Sequence, residues 1–187
     1  MRILSTALFF LSFAASAQTT TYKVDPSHTS LVFRVNHLGF SNTYGLIGGA
    51  DGKIVIDEKS AEKSTFEITA KLDTINTMDK KRDEHLRGPD FFNVKQFPTV
   101  TLKSKTVKKA GNRFDITADL TLRGVTKPIS FTFDQMKTGK DPWNNFRTGG
   151  QTVLNIKRTD FGMNYMSKPG EIGDDIEIMV SIEGTKI

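Results

Sequence analysis

Five segments of this chain alternate apolar and polar residues with a period of two, and that alternation limits the fold more than any other feature. Leu31, Phe33 and Val35 fall on one side of an extended segment, with Arg34 and Asn36 on the other. Phe66, Ile68, Ala70 and Leu72 oppose Glu67, Thr69 and Lys71 in the same way. Phe114, Ile116, Ala118, Leu120 and Leu122 form the longest set, Ile129, Phe131 and Phe133 a shorter one, and Ile176, Ile178, Val180 and Ile182 close the chain. Successive side chains of a strand point to opposite faces, so the pattern predicts antiparallel strands with one wet face.

Turn signals separate these runs at hairpin spacing: Gly48-Gly49 with Asp51-Gly52, then Ala110-Gly111-Asn112, then Gly124 to Pro128. Pro128 is expected at a strand start, where its missing N–H costs little. The one helical candidate, residues 78–86, lacks a continuous apolar stripe and is expected to lie over a barrel end. No internal repeat or low-complexity linker divides the chain, so residues 18–187 read as one all-β domain. About eight alternating strands imply a barrel or a sandwich, and periodicity alone does not choose between them.

Residues 1–17 read as a processing signal. Arg2 supplies a short positive region, residues 3–13 are an apolar run too short to span a bilayer, and Ala15-Ser16-Ala17 provides small residues for cleavage. The expected mature chain starts at Gln18, outside the cytoplasm, in a periplasm or secreted. No later segment is long and apolar enough for an integral membrane span. With no Cys in 187 residues, thiol catalysis and Cys-ligated metals are excluded. The net charge of +5 is spread along the chain without a long run, which with export argues against nucleic acid and leaves an anionic lipid surface open.

Residues 82–98 fit neither a strand nor a helix alone. A charged stretch ending His85-Leu86-Arg87 leads to Asp90-Phe91-Phe92-Asn93 and then to Phe97-Pro98. This resembles the signature of the YceI-like family, the polyisoprenoid-binding proteins. Tyr22 to His37 resembles that family's opening strand, Leu120 to Pro128 its central hairpin, and Arg158-Thr159-Asp160-Phe161-Gly162-Met163 its late motif. The four matches run in order over residues 22–183. The resemblance implies a single lipocalin-like antiparallel β-barrel of about eight strands with one short helical segment. It also implies an exported protein that holds a long isoprenoid or acyl chain inside the barrel. Asn93 stands where the family has Asp, and Gly150 where it commonly has an aromatic residue, which is expected to reshape the pocket.

The search for chemistry is thin. His28, His37 and His85 are the only histidines, and their spacing fits no helix-borne metal motif. Asp25, Ser27 and His28 are sequence neighbours without a nucleophile elbow. No catalytic residue, metal ligand or cofactor is therefore assigned, and the expected protein is not an enzyme. The carboxylate pairs Asp83-Glu84 and Asp174-Asp175 read as solvated turns, and Arg158 with Asp160 as a structural ion pair. Fourteen Phe against one Trp and three Tyr mean either a densely packed barrel or a deep apolar slot. The resemblance favours the slot, with Phe33, Val35, Phe66, Ile68, Ile116, Leu120, Phe131, Ile156 and Ile178 as its wall. His37, His85, Arg87 and Arg147 are the candidates for its mouth, where a phosphate or quinone head needs donors. At ~0.8 kcal/mol per buried methylene, about eight to ten methylenes offset the cost of immobilising such a ligand. The expected partner is a polyisoprenoid, isoprenoid quinone or prenyl phosphate. A fatty acid or fatty amide, a solid-barrel interaction module and a homodimer stay open.

Overall fold

The computed structural model describes residues 19–187; the expected signal and its cleavage site lie outside the described residues. Ten strands and one helix follow in order: β1 (Thr19–Val24), β2 (Ser30–His37), β3 (Ser41–Ile47), β4 (Asp51–Asp57), β5 (Thr65–Lys71), α1 (Lys80–Arg87), β6 (Thr99–Ala110), β7 (Arg113–Leu122), β8 (Val125–Lys140), β9 (Phe146–Lys157) and β10 (Ile172–Lys186). All pairings are antiparallel. Eight strands close a ring in the order β1-β4-β5-β6-β7-β8-β9-β10, because β1 pairs with both β4 and β10. The β2–β3 hairpin is added to that ring, with β2 on β10 and β3 on β2.

The ring is not uniform along its length. β10 carries β1 only near its end, through Gly184 to Lys186, and carries β2 along its first two thirds, from Ile172 to Ser181. The ladder between β8 and β9 stops at Asp134 and Gln151. Beyond that point β8 pairs only with β7, and Thr152 Oγ1 donates to the Thr132 carbonyl at 2.7 Å as a side-chain bridge. One half of the barrel is thus closed by continuous ladders, and the other is widened by the inserted hairpin and this split. Pro128 is the fourth residue of β8 rather than its start. It sits in the segment with a ladder on one side only, an effective edge where a missing N–H is tolerated.

Local chemistry sets the turns. Arg123 and Gly124 join β7 to β8 with φ of 52° and 73°, the doubly left-handed geometry that tight hairpins favour. The closed half is filled. Phe66, Phe114 and Phe133 meet edge-on or tilted with centroids 5.5–6.3 Å apart, among Ile54, Ile56, Val107, Ile116 and Ala118. Gly150 does not open the pocket: a Cβ there would come within 2.4 Å of both the Phe133 ring and the Asp134 carbonyl, so that ring takes the space. Phe33 covers Gly45 on β3 in the same manner. Among the described residues no helix is long and apolar enough to cross a membrane.

Candidate functional site

The widened half encloses a cavity of about 580 Å³. Its floor is Phe66 and Phe133, and its wall is the inward face of β2, β5, β6, β7, β8, β9 and β10. Period-two alternation delivers this wall: Leu31, Phe33 and Val35 from β2, and Ile176, Ile178 and Val180 from β10, lie on the same face of paired strands. The lining is almost wholly aliphatic and aromatic, and the size falls in the range of small-molecule sites. Polar groups collect at one end, where His37 and Thr43 of the β2–β3 hairpin, Asp79, Lys81, Arg82 and His85 of α1, and Tyr165 of the β9–β10 connection line the opening.

Of the thirteen residues expected to form the slot, ten line the cavity: Phe33, Val35, His37, Phe66, Ile68, His85, Leu120, Phe131, Ile156 and Ile178. Three do not. Ile116 is buried in the packed half, and its larger cross-strand partner Phe131 takes the cavity position. Arg87 turns back from the last turn of α1, donating to the Asp73 carbonyl at 3.0 Å and the Ile75 carbonyl at 2.7 Å. It therefore staples the helix to the chain after β5. Arg147 lies at the opposite pole, where it binds Asp25, Asp141 and Glu183 at 2.6–2.8 Å.

The mouth is built by the segments that stood out in the sequence. Asp79 caps α1 by accepting from the Arg82 amide at 2.9 Å. Asp83 is buried, not solvated: it accepts from the Thr77 amide at 2.7 Å and the Thr77 hydroxyl at 2.6 Å. Burial works against its charge, but those two bonds together with the charges of Arg87 and Arg82 hold its pKa below the usual carboxylate value. His85 Nε2 lies 3.0 Å from Asp90, and its ring meets Phe91 and Tyr165 edge-on at 5.0 Å each. The Phe91-Phe92 corner is thereby fixed to the helix. Arg123 also donates to the Phe91 carbonyl.

Arg158 departs from the expected ion pair with Asp160. It is buried, and its five N–H groups reach five carbonyls: Gly173, Tyr165, Met166 and Ile172 at 2.9 Å and Met163 at 2.5 Å. Burial lowers its pKa, and Asp174 and Glu171 oppose that. One guanidinium thus folds residues 162–173 into a wall of the mouth. Asp174 is likewise engaged, accepting from the Thr159 amide and hydroxyl at 3.0 Å, whereas Asp175 is exposed beside Lys157.

The sequence reading missed Asp79, Lys81, Arg82 and Tyr165 at the opening. The two on α1 have a readable signal: Lys81 and Arg82 lie four and three residues before His85, one helical turn away on its side of the helix. Asp25, His28 and Glu183 bring ligand atoms within 4.8 Å of one another at the far pole. Arg147 Nη1 already lies against both carboxylates, so a dication would have to displace a guanidinium. Ser27 and His28 both bond to Asp25 there, exposed and away from the cavity.

A family model described as the YceI-like domain matches residues 22–184. The chain belongs to the YceI-like family. A UPF0312 protein of Pectobacterium atrosepticum is 38% identical over 183 residues, covering 97% of this chain and 94% of that one. The solved structure of the Campylobacter jejuni YCEI protein superposes with a TM-score of 0.72 at 29% identity, over 81% of this chain and 90% of that one. A polyisoprenoid binding domain from Saccharophagus degradans has the same fold, with a TM-score of 0.69 at 16% identity over 89% and 98% of the two chains. None of these names indicates a catalytic family.

Proposed function

We propose that this protein is an exported, non-enzymatic carrier that holds a long apolar ligand inside its barrel with the ligand's head at the α1 end. The observation that carries the reading is the cavity itself: about 580 Å³, with an almost wholly apolar lining and its charged side chains gathered toward one end. Burial of a hydrocarbon chain there supplies the affinity. Lys81 offers a donor at the opening, which suits a phosphate or quinone head; Arg82 beside it already donates to the Thr77 hydroxyl and carbonyl at 2.7 Å each and keeps only its other guanidinium N–H groups for a ligand. The polyisoprenoid binding domain of Saccharophagus degradans, alike in fold, supports an isoprenoid as first choice. The cleavable-signal pattern of residues 1–17 supports a periplasmic or secreted location.

The test is binding of a long prenyl phosphate, with a fatty acid of matched length as competitor, to wild-type protein and to Ile178→Asp. Ile178 lines the cavity, so a carboxylate there puts a charge against the buried chain. Affinity is expected to fall at least a hundredfold while the fold, checked by circular dichroism, persists. Equal affinity in a folded variant would refute the reading, and stronger binding of the fatty acid would change the ligand class.

A further inference from the structure

We infer that the mouth of the barrel is a docking surface for a lipid bilayer. Phe40 and Met78 are each 89% exposed. A single exposed apolar side chain is ordinary; two of them framing the opening of an apolar cavity, with Tyr165 and Met166 also accessible, are not. The backbone presents them by construction. Phe40 ends a turn in which Leu38 and Gly39 have φ of 55° and 76°, fixed by Asn36 accepting from the Gly39 amide at 2.9 Å. Met78 has φ of 66°, a conformation uncommon for a side chain of its size, just before the cap of α1.

The charges of the same end select the occupant. Lys80, Lys81 and Lys168 form no ion pair among the described residues. The neighbouring acids are mostly engaged within the fold: Asp79 caps α1, Asp83 accepts from Thr77, Asp90 meets His85, and Glu171 accepts from the Lys168 amide. Glu84, Asp73 and Asp160 are the acids at this end whose side chains accept no such bond among the described residues. Free ammonium groups beside exposed apolar tips match an anionic bilayer surface, with the tips at headgroup depth and the lysines against lipid phosphates. Docked in this way, the cavity would open onto lipid, and a hydrocarbon chain would enter without crossing water. The purpose of such docking rests on the carrier reading; its geometry does not.

The chain has one tryptophan, Trp143, which lies in the β8–β9 connection at the far pole and is 79% exposed. It reports on the competing orientation. Co-sedimentation is measured with vesicles of phosphatidylcholine alone and with added phosphatidylglycerol. Wild type is expected to bind the anionic vesicles with Trp143 emission unchanged. Phe40→Trp placed in Trp143→Phe is expected to shift to the blue and to be quenched by brominated lipid. The double variant Phe40→Asp with Met78→Asp should lower partitioning at least about tenfold. Lys80→Glu with Lys81→Glu should lower it roughly tenfold on anionic vesicles only. No binding to either vesicle, a blue shift of Trp143, or unchanged partitioning of the folded double variant would each overturn the inference. Prenyl phosphate binding in solution separates the two readings. If the Asp double variant keeps it, the carrier reading stands apart from docking. If Ile178→Asp loses it and still docks, docking stands apart from the cavity.

Discussion

Replacing Arg158 with Met removes the five guanidinium bonds to residues 162–173 while keeping a long side chain in place. Five hydrogen bonds from a charged donor are lost, at ~1.5–3 kcal/mol each before any compensation. Much of that gross value returns. Tyr165 and Met166 are 40% and 37% exposed, so water can reach their stretch of the loop. The desolvation of the guanidinium is also relieved. The net loss is therefore set at about 3–5 kcal/mol, the range for breaking a buried charged network. For a domain of this size that lowers the melting temperature by roughly 10 °C. Arg158→Lys keeps the charge but has three donors on one nitrogen, so it should recover less than half of the loss. Urea unfolding gives the free energies, and hydrogen exchange of residues 163–172 shows whether the mouth wall has come loose. A loss below about 1 kcal/mol, or unchanged exchange in that segment, would refute the assignment of Arg158 as the organiser of the mouth.

Phe114 is fully buried beneath the cavity floor, so Phe114→Ala should cost about 3–5 kcal/mol and let longer chains reach toward the closed half, measured by unfolding and by binding of prenyl phosphates of increasing length. Gly45→Ala would drive the Phe33 ring from its place over β3 and should cost ~1–3 kcal/mol with weaker ligand binding; a neutral variant would contradict the packing described. The far pole should govern acid stability. At Asp141 burial opposes the charge, but bonds from Asn145, Arg147 and Trp143 hold its pKa at about 2; Asp25 is depressed as well, by Ser27, His28 and Arg147. Both carboxylates have folded pKa values below the usual 3.8, so their contribution is full above that value and drains as pH falls toward about 2. Arg147→Met should move the acid unfolding midpoint to higher pH in a circular-dichroism titration, and superimposable curves would refute the linkage.

The wall of the cavity was legible in the sequence because β2, β5, β7 and β10 carry uninterrupted alternation. β6 and β9 were harder to read, for physical reasons. A register shift between Ser104 and Thr106 breaks the period of β6. On β9, Thr148, Gly150 and Thr152 are inward, so a hydrophobicity pattern does not register them until Leu154. The many phenylalanines admitted two readings, and both hold in different halves: Phe66, Phe114 and Phe133 pack the closed end, while Phe33 and Phe131 line the cavity. The arginines were the weak point. Arg87 and Arg147 looked like mouth charges and Arg158 like half of an ion pair with Asp160, yet each is committed to carbonyls or carboxylates elsewhere in the chain. Partners brought together by tertiary folding leave no local spacing to detect.

The central claim, a barrel that carries a lipid, is tested most directly by native mass spectrometry of protein purified without detergent from the medium or periplasm of an expressing bacterium, followed by organic extraction. A lipid carrier co-purifies with a species whose mass and fragmentation are those of an isoprenoid chain, and Ile178→Asp purified in parallel lacks it. A wild-type mass equal to the bare polypeptide, with nothing in the extract, would contradict it.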